Sequence, residues 1–81
     1  MSVKLNRIGY DHALQSASYA TPDRRWVVYP IRAHTRAGMP AWRLTDTSGR
    51  YRCAGSPSRL VPTLSAARIL IARIEEAEKS L

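Results

Sequence analysis

The chain has 81 residues, with 13 Lys or Arg against six acids for a net charge of +7, one cysteine and no phenylalanine. A chain this short is one domain, residues 1–81, that buries only about 60% of its unfolded surface. The single cysteine excludes an internal disulfide, no apolar run approaches the ~18 residues of a membrane span, and an apolar content of 44% is too high for a disordered segment.

The start, MSVKLNRIGYDH, lacks the apolar core of a signal peptide, so the expected compartment is the cytoplasm. Residues 3–20 admit two readings. Val3, Leu5, Ile8 and Tyr10 form a short strand or an irregular entry. Asp11 then caps a brief helix through Ala17, or a strand runs over about residues 12–20. The strand is favoured. It would end in Thr21-Pro22-Asp23-Arg24, a type I turn with Pro at the second position, where its fixed φ fits.

Residues 25–33 (RWVVYPIRA) read as a strand, rich in Trp, Val, Tyr and Ile. Pro30 removes one ladder donor, which predicts an edge strand or a bulge. Residues 34–40 read as a loop.

Residues 41–47 and 50–54 read as a hairpin whose register follows from its side chains. An even-length loop keeps the two faces clean. It puts Trp42, Leu44, Tyr51 and Cys53 on one side and Arg43, Thr45, Arg50 and Arg52 on the other. A slip of one residue would bury arginines. Asp46-Thr47-Ser48-Gly49 suits a four-residue turn, with Gly49 taking positive φ.

The helix spans about residues 64–80. Thr63, after Pro62, is its natural N-cap. Leu64, Ala67, Leu70, Ile71, Ile74 and Ala77 recur on one face. Ile69 points away from that stripe. The expected fold class is α+β: a small two-layer domain with a three- or four-stranded antiparallel sheet packed against one C-terminal α-helix.

Charge then bears on function. Between Arg24 and Arg59 lie eight arginines and one acid, Asp46. Arginine grips phosphate or carboxylate with two parallel hydrogen bonds and stacks on rings, so this bias points to a polyanion. The candidate nucleic-acid-binding residues are Arg43, Thr45, Arg50 and Arg52. Either Arg25 or Arg32 extends the patch, since the two fall on opposite faces of their strand. A sheet ribbon of this kind enters a DNA major groove, where arginine reads guanine edges, or lies along phosphates without base preference. DNA is favoured over RNA. The plain alternative is the polar solvent face of a one-sided sheet.

From Trp42 to Ala77 the order is a strand with Trp, a turn, a basic stretch (RYRCAG), a gap, and PTLSAARIL opening a helix. This order resembles the three-stranded-sheet-plus-helix layout of the plant-type AP2 domain and of integrase amino-terminal DNA-binding domains. The resemblance lies in layout rather than in shared motifs and covers under half the chain. It implies a sheet that contacts DNA and a helix that packs behind it.

Trp42 is assigned to the core. Trp26 and Ile69 are candidate contacts for a protein partner. Cys53 reads as a buried, inert thiol. His12 and His34 have no acid–base arrangement around them, and with Cys53 they do not make a metal-ligand spacing. Asp46 is explained by its turn. Glu75, Glu76 and Glu78 read as a solvated tail that pairs with Lys79 or with basic residues nearby, or as a small acidic contact. No enzyme, metal or cofactor is expected.

The first expectation is thus a basic nucleic-acid-binding module, such as an accessory protein of a phage or mobile element. The second is a non-catalytic interaction protein that occupies an acidic protein surface, as a phage-type, anti-CRISPR-like inhibitor of a host complex would. A homodimer fits either.

Overall fold

The computed structural model describes residues 3–31, 41–52 and 55–80. Among the described residues five strands, one more than the most expected, form a single antiparallel meander: β1 (Asn6–Asp11), β2 (Ser16–Ala20), β3 (Trp26–Ile31), β4 (Ala41–Asp46) and β5 (Ser58–Val61), in spatial order β1-β2-β3-β4-β5. One helix, α1 (Leu64–Lys79), follows and packs on β3 and β5. The architecture is α+β with two layers.

The strand expected over residues 12–20 starts later, and a separate strand precedes it. Asp11 explains the break, because its Oδ1 accepts from the Leu14 amide at 3.1 Å and turns the chain. Gln15 then takes a left-handed φ of 51°. The pairing of β1 with β2 steps between Arg7 and Gly9, which leaves Ile8 as a bulge. At the β2–β3 junction the Arg24 amide donates to the Thr21 carbonyl at 2.8 Å, closing the turn foreseen at Thr21-Pro22-Asp23-Arg24. Thr21 Oγ1 accepts from the Trp26 amide and donates to Asp23 Oδ1, so the turn is tied into the start of β3.

Pro30 does not mark an edge. β3 is the central strand, flanked by β2 and β4. The proline is tolerated because pairing with β2 covers only Tyr19↔Val28 and Ala20↔Val27, whereas pairing with β4 continues through Pro30↔Trp42 to Ile31↔Ala41. Beyond Val28 there is no β2 ladder for the missing N–H to serve.

The expected second hairpin strand, residues 50–54, is not a strand through Arg50–Arg52; Cys53 and Ala54 lie outside the described residues. The neighbour of β4 is instead Ser58–Val61, in register Trp42↔Val61, Arg43↔Leu60, Leu44↔Arg59 and Thr45↔Ser58. The cause is Asp46. Its Oδ2 accepts from the Tyr51 amide at 2.8 Å, and its own amide donates to the Pro57 carbonyl at 2.9 Å. The amide that a tight hairpin would pair across the ladder goes to a side chain, and the chain loops out before β5.

The inner face is the core. Trp26 and Val28 of β3, Leu44 of β4, Val61 of β5, Ala67 and Ile71 of α1, and Leu5 form one buried cluster. Trp42, Tyr51, Leu64, Leu70 and Ile74 pack around it, half-buried. Each fully buried aliphatic contributes about 1.5–3 kcal/mol. The helix begins where its cap predicts, with Thr63 Oγ1 accepting from the Ala66 amide at 3.0 Å.

Candidate functional site

Two polar regions stand out, on opposite faces of the sheet. The first is a corner where the start of β3, the end of β4 and the last turn of α1 meet around Arg25. Its guanidinium donates to both Asp46 oxygens, from Nε at 3.1 Å and Nη2 at 3.0 Å. It also donates to both Glu78 oxygens, from Nη1 at 2.6 Å and Nη2 at 2.8 Å. The same group lies 4.7 Å from the centre of the Trp26 ring, a cation–π contact. Trp26 Nε1 donates to Glu75 Oε1 at 3.1 Å, and Tyr51 packs on Trp26 with ring centres 5.8 Å apart.

Asp46 is the hub of this corner. Its side chain is fully buried. Besides Arg25 it accepts from the Ser48 amide at 2.9 Å, the Ser48 hydroxyl at 2.6 Å and the Tyr51 amide. Burial pushes its pKa up, but the Arg25 pair and the Ser48 and Tyr51 hydrogen bonds outweigh this and hold the carboxyl well below the usual carboxylate range. The hydrogen bond from Arg25 likewise lowers Glu78, and the two carboxylates raise Arg25, with Glu78 the larger contributor. Every hydrogen-bonding atom of the Asp46 carboxylate is occupied. The corner clamps the start of β3 and the end of β4 to the last turns of α1.

The second region is the face of β3–β5 turned away from α1. Strand alternation puts Val27, Tyr29, Ile31, Arg43, Thr45, Ser58 and Leu60 there. Among the described residues no element packs over it. Tyr29, Arg43 and Leu60 stand side by side in register, with Tyr29 half-buried and Arg43 and Leu60 exposed. The next row holds Val27, Thr45 and Ser58, and the Thr45 and Ser58 hydroxyls share a 2.8 Å hydrogen bond. Arg43, Ser56, Ser58, Arg59 and Leu60 line a shallow cleft of about 160 Å³ at the β4–β5 border. No carboxylate lies on this face of β3–β5, and among the described residues Arg43 makes no ion pair.

The residues foreseen from the sequence divide between these regions and the loops. Arg43 and Thr45 share the open face. Arg50 and Arg52 are exposed but lie in the irregular segment after β4, where Arg50 Nε contacts Ser48 Oγ at 3.5 Å and Arg52 Nη1 donates to the Gly55 carbonyl at 3.1 Å. The ladder that would have aligned them with Arg43 is not formed. Arg25 is withdrawn into the clamp, because the buried Asp46 carboxylate lies beside it. Arg32 and Cys53 lie outside the described residues. Trp26, considered as a partner contact, is completely buried and belongs to the core: β3 alternates with Trp26, Val28 and Pro30 inward. Ile69 is 56% exposed. Of the acidic run, Glu78 does pair with a basic residue, Arg25, and Glu75 accepts from Trp26, so both close the clamp from the helix side, while Glu76 is exposed.

Sequence reasoning passed over Tyr29 and Arg59. The alternation in WVVYPI carried the signal for Tyr29, since fixing Trp26 inward puts Tyr29 outward. Comparison with protein-family models, with curated proteins and with solved structures gives no match.

Proposed function

We propose that this protein is a non-catalytic nucleic-acid-binding module that lays the open face of β3–β5 against DNA. The reading is carried by the segregation of charge. Asp46, Glu75 and Glu78 are all engaged on the helix side by Arg25 and Trp26, while the opposite face of β3–β5 carries Arg43 with hydroxyls and a tyrosine and no carboxylate. A +7 chain with three of its six acids held at the clamp has a net cationic surface, the electrostatic footprint of a polyanion binder.

In this reading Arg43 is the central contact, to a guanine edge or to phosphate, and Arg59, Ser56 and Ser58 of the adjoining cleft flank the backbone. Thr45 and Tyr29 contact sugar and phosphate across the face. Arg50 and Arg52 add phosphate contacts from the loop beyond β4. DNA is favoured because a sheet fits the wide B-form major groove, whereas the A-form groove of duplex RNA is too deep and narrow for it.

The test is fluorescence anisotropy on a labelled duplex as salt rises from about 50 to 200 mM. Affinity falls steeply with salt, and Arg43→Ala weakens binding and lowers the log–log salt slope by about one. Absence of binding at low salt and micromolar protein refutes the reading.

A further inference from the structure

Next to the clamped Arg25 stands an arginine whose side chain is exposed and pairs with no acid among the described residues. Arg24 closes the turn between β2 and β3 with a φ of 61°, in the left-handed region. A type I turn followed by a left-handed residue favours glycine at that place, because a Cβ crowds the following carbonyl. The Arg24 backbone is nevertheless fixed from both sides. Its amide donates to the Thr21 carbonyl at 2.8 Å, and its carbonyl accepts from Thr47 Oγ1 at 3.0 Å. The neighbouring Asp23 is engaged within the turn, where its Oδ1 accepts from Thr21 Oγ1 at 2.6 Å and from the Arg25 amide at 3.1 Å. Glycine would serve this turn at least as well, so the retained cation points to a role outside the fold.

Left-handed strain alone assigns nothing, since Gln15 in the β1–β2 turn has a φ of 51°. What sets Arg24 apart is its charge and its neighbours. Thr47 stitches the β2–β3 turn to the segment after β4: its amide donates to the Arg25 carbonyl at 2.7 Å, and its hydroxyl contacts the Arg24 and Arg25 carbonyls. That segment carries Arg50 and Arg52, both exposed. Two tied backbones thus present three exposed arginines at one end of β3 and β4, and the Asp46 and Glu78 carboxylates nearby are committed to Arg25. From Arg43 to Thr47 the chain advances four residues, about 13 Å at ~3.3 Å per residue, close to the ~12 Å width of the B-form major groove. With Arg43 set in a groove, this end of the sheet reaches the phosphates that border it.

We infer that Arg24 is a phosphate contact, and that with Arg50 and Arg52 it forms a cationic end that grips the DNA backbone beside the groove entered by Arg43. This role rests on the nucleic-acid reading and names the part of the duplex that the end of the sheet meets. Contacts of this kind fix register and carry no base preference.

The experiment measures duplex binding by fluorescence anisotropy and urea unfolding on the same preparations of the full chain. Arg24→Gly and Arg24→Asn, the two replacements that accept left-handed φ most readily, leave the urea midpoint unchanged or raise it. Both weaken the duplex about three- to tenfold, equally for duplexes of different sequence, and lower the log–log salt slope by about one. Arg24→Lys, which keeps the charge, retains most of the affinity. If Arg24→Gly and Arg24→Asn bind like the wild type while Arg43→Ala binds weakly, the role of Arg24 is overturned and the reading of the open face stands. A wild-type chain that binds no duplex overturns both. A clearly lower urea midpoint in both variants also overturns it, since the side chain would then serve the fold.

Discussion

Arg25 and Arg43 flank the same pair of strands, one at the start of β3 and the other in the middle of β4, and their fates are opposite. Arg25 is held by four hydrogen bonds from its guanidinium to two carboxylates and is stacked on a buried indole. Arg43 stands on the open face with a tyrosine and a leucine beside it and makes no ion pair among the described residues. The difference is set by where the acids went. Asp46 alternates inward with Trp42 and Leu44, and Glu75 and Glu78 come off the last turns of α1 toward the same corner. The sheet therefore has a neutralised, rigid side and a cationic, open side. A net charge shared evenly would support neither a clamp nor a binding face.

The largest expected effect comes from breaking the neutralised side. Asp46→Ala removes the partner of Arg25 and the acceptor for Ser48 and Tyr51, leaving a buried guanidinium half-paired. A loss of about 3–5 kcal/mol in urea unfolding is expected, a large share of the stability of a domain this small. Arg25→Ala is expected to cost a similar amount. A loss below about 1 kcal/mol for either would show the clamp to be incidental.

Acid probes the same corner. Asp46 and Glu78 both have folded pKa values below their ordinary 3.8 and 4.5. A depressed carboxyl stabilises the fold above its unfolded pKa and loses that contribution as pH falls through the folded value. Stability at pH 7 and pH 5 is therefore alike as far as these two groups go, and it declines progressively below about pH 4.5. Asp46→Asn, which cannot titrate, flattens the decline. An unchanged acid limb in that variant would remove Asp46 from the account.

Much of this division was legible in the sequence, and the parts that were not share a cause. The alternation of Ala41–Asp46, the β-rich run after Arg25, the Thr21–Arg24 turn and the Thr63 cap with its helix all rest on local spacing, and all are formed. The position of β5 was not legible. Ser58–Val61 is short, and Asp46 diverts the Tyr51 amide, a choice made by one side chain five residues away. Pro30 read as an edge signal because the early end of the β2–β3 ladder is a property of two strands together. The withdrawal of Arg25 depends on Glu78, 53 residues further along the chain. Periodicity could place Arg43 and Thr45 on a common face, but not decide which arginines the acids would claim.

A smaller effect sharpens the role of the helix. Thr63→Ala removes the acceptor for the Ala66 amide and is expected to cost about 1 kcal/mol, without changing nucleic-acid affinity per folded molecule. At the bottom of the scale, Arg43→Ala shifts stability by no more than about 0.5 kcal/mol, because the side chain is exposed and makes no ion pair among the described residues. Its consequence falls on binding alone. Stability and binding thus respond to two arginines separately, and a variant that moved both would blur the division.

The central claim, that the open face of β3–β5 is the nucleic-acid surface, is tested most directly by amide mapping. The ¹⁵N-labelled chain is titrated at low salt with a short DNA duplex. The largest shifts are expected at Tyr29, Arg43, Thr45, Ser58 and Leu60, small ones at Arg50 and Arg52, and none at Arg25 or along α1. Shifts concentrated on α1, or no shifts at all, would contradict it.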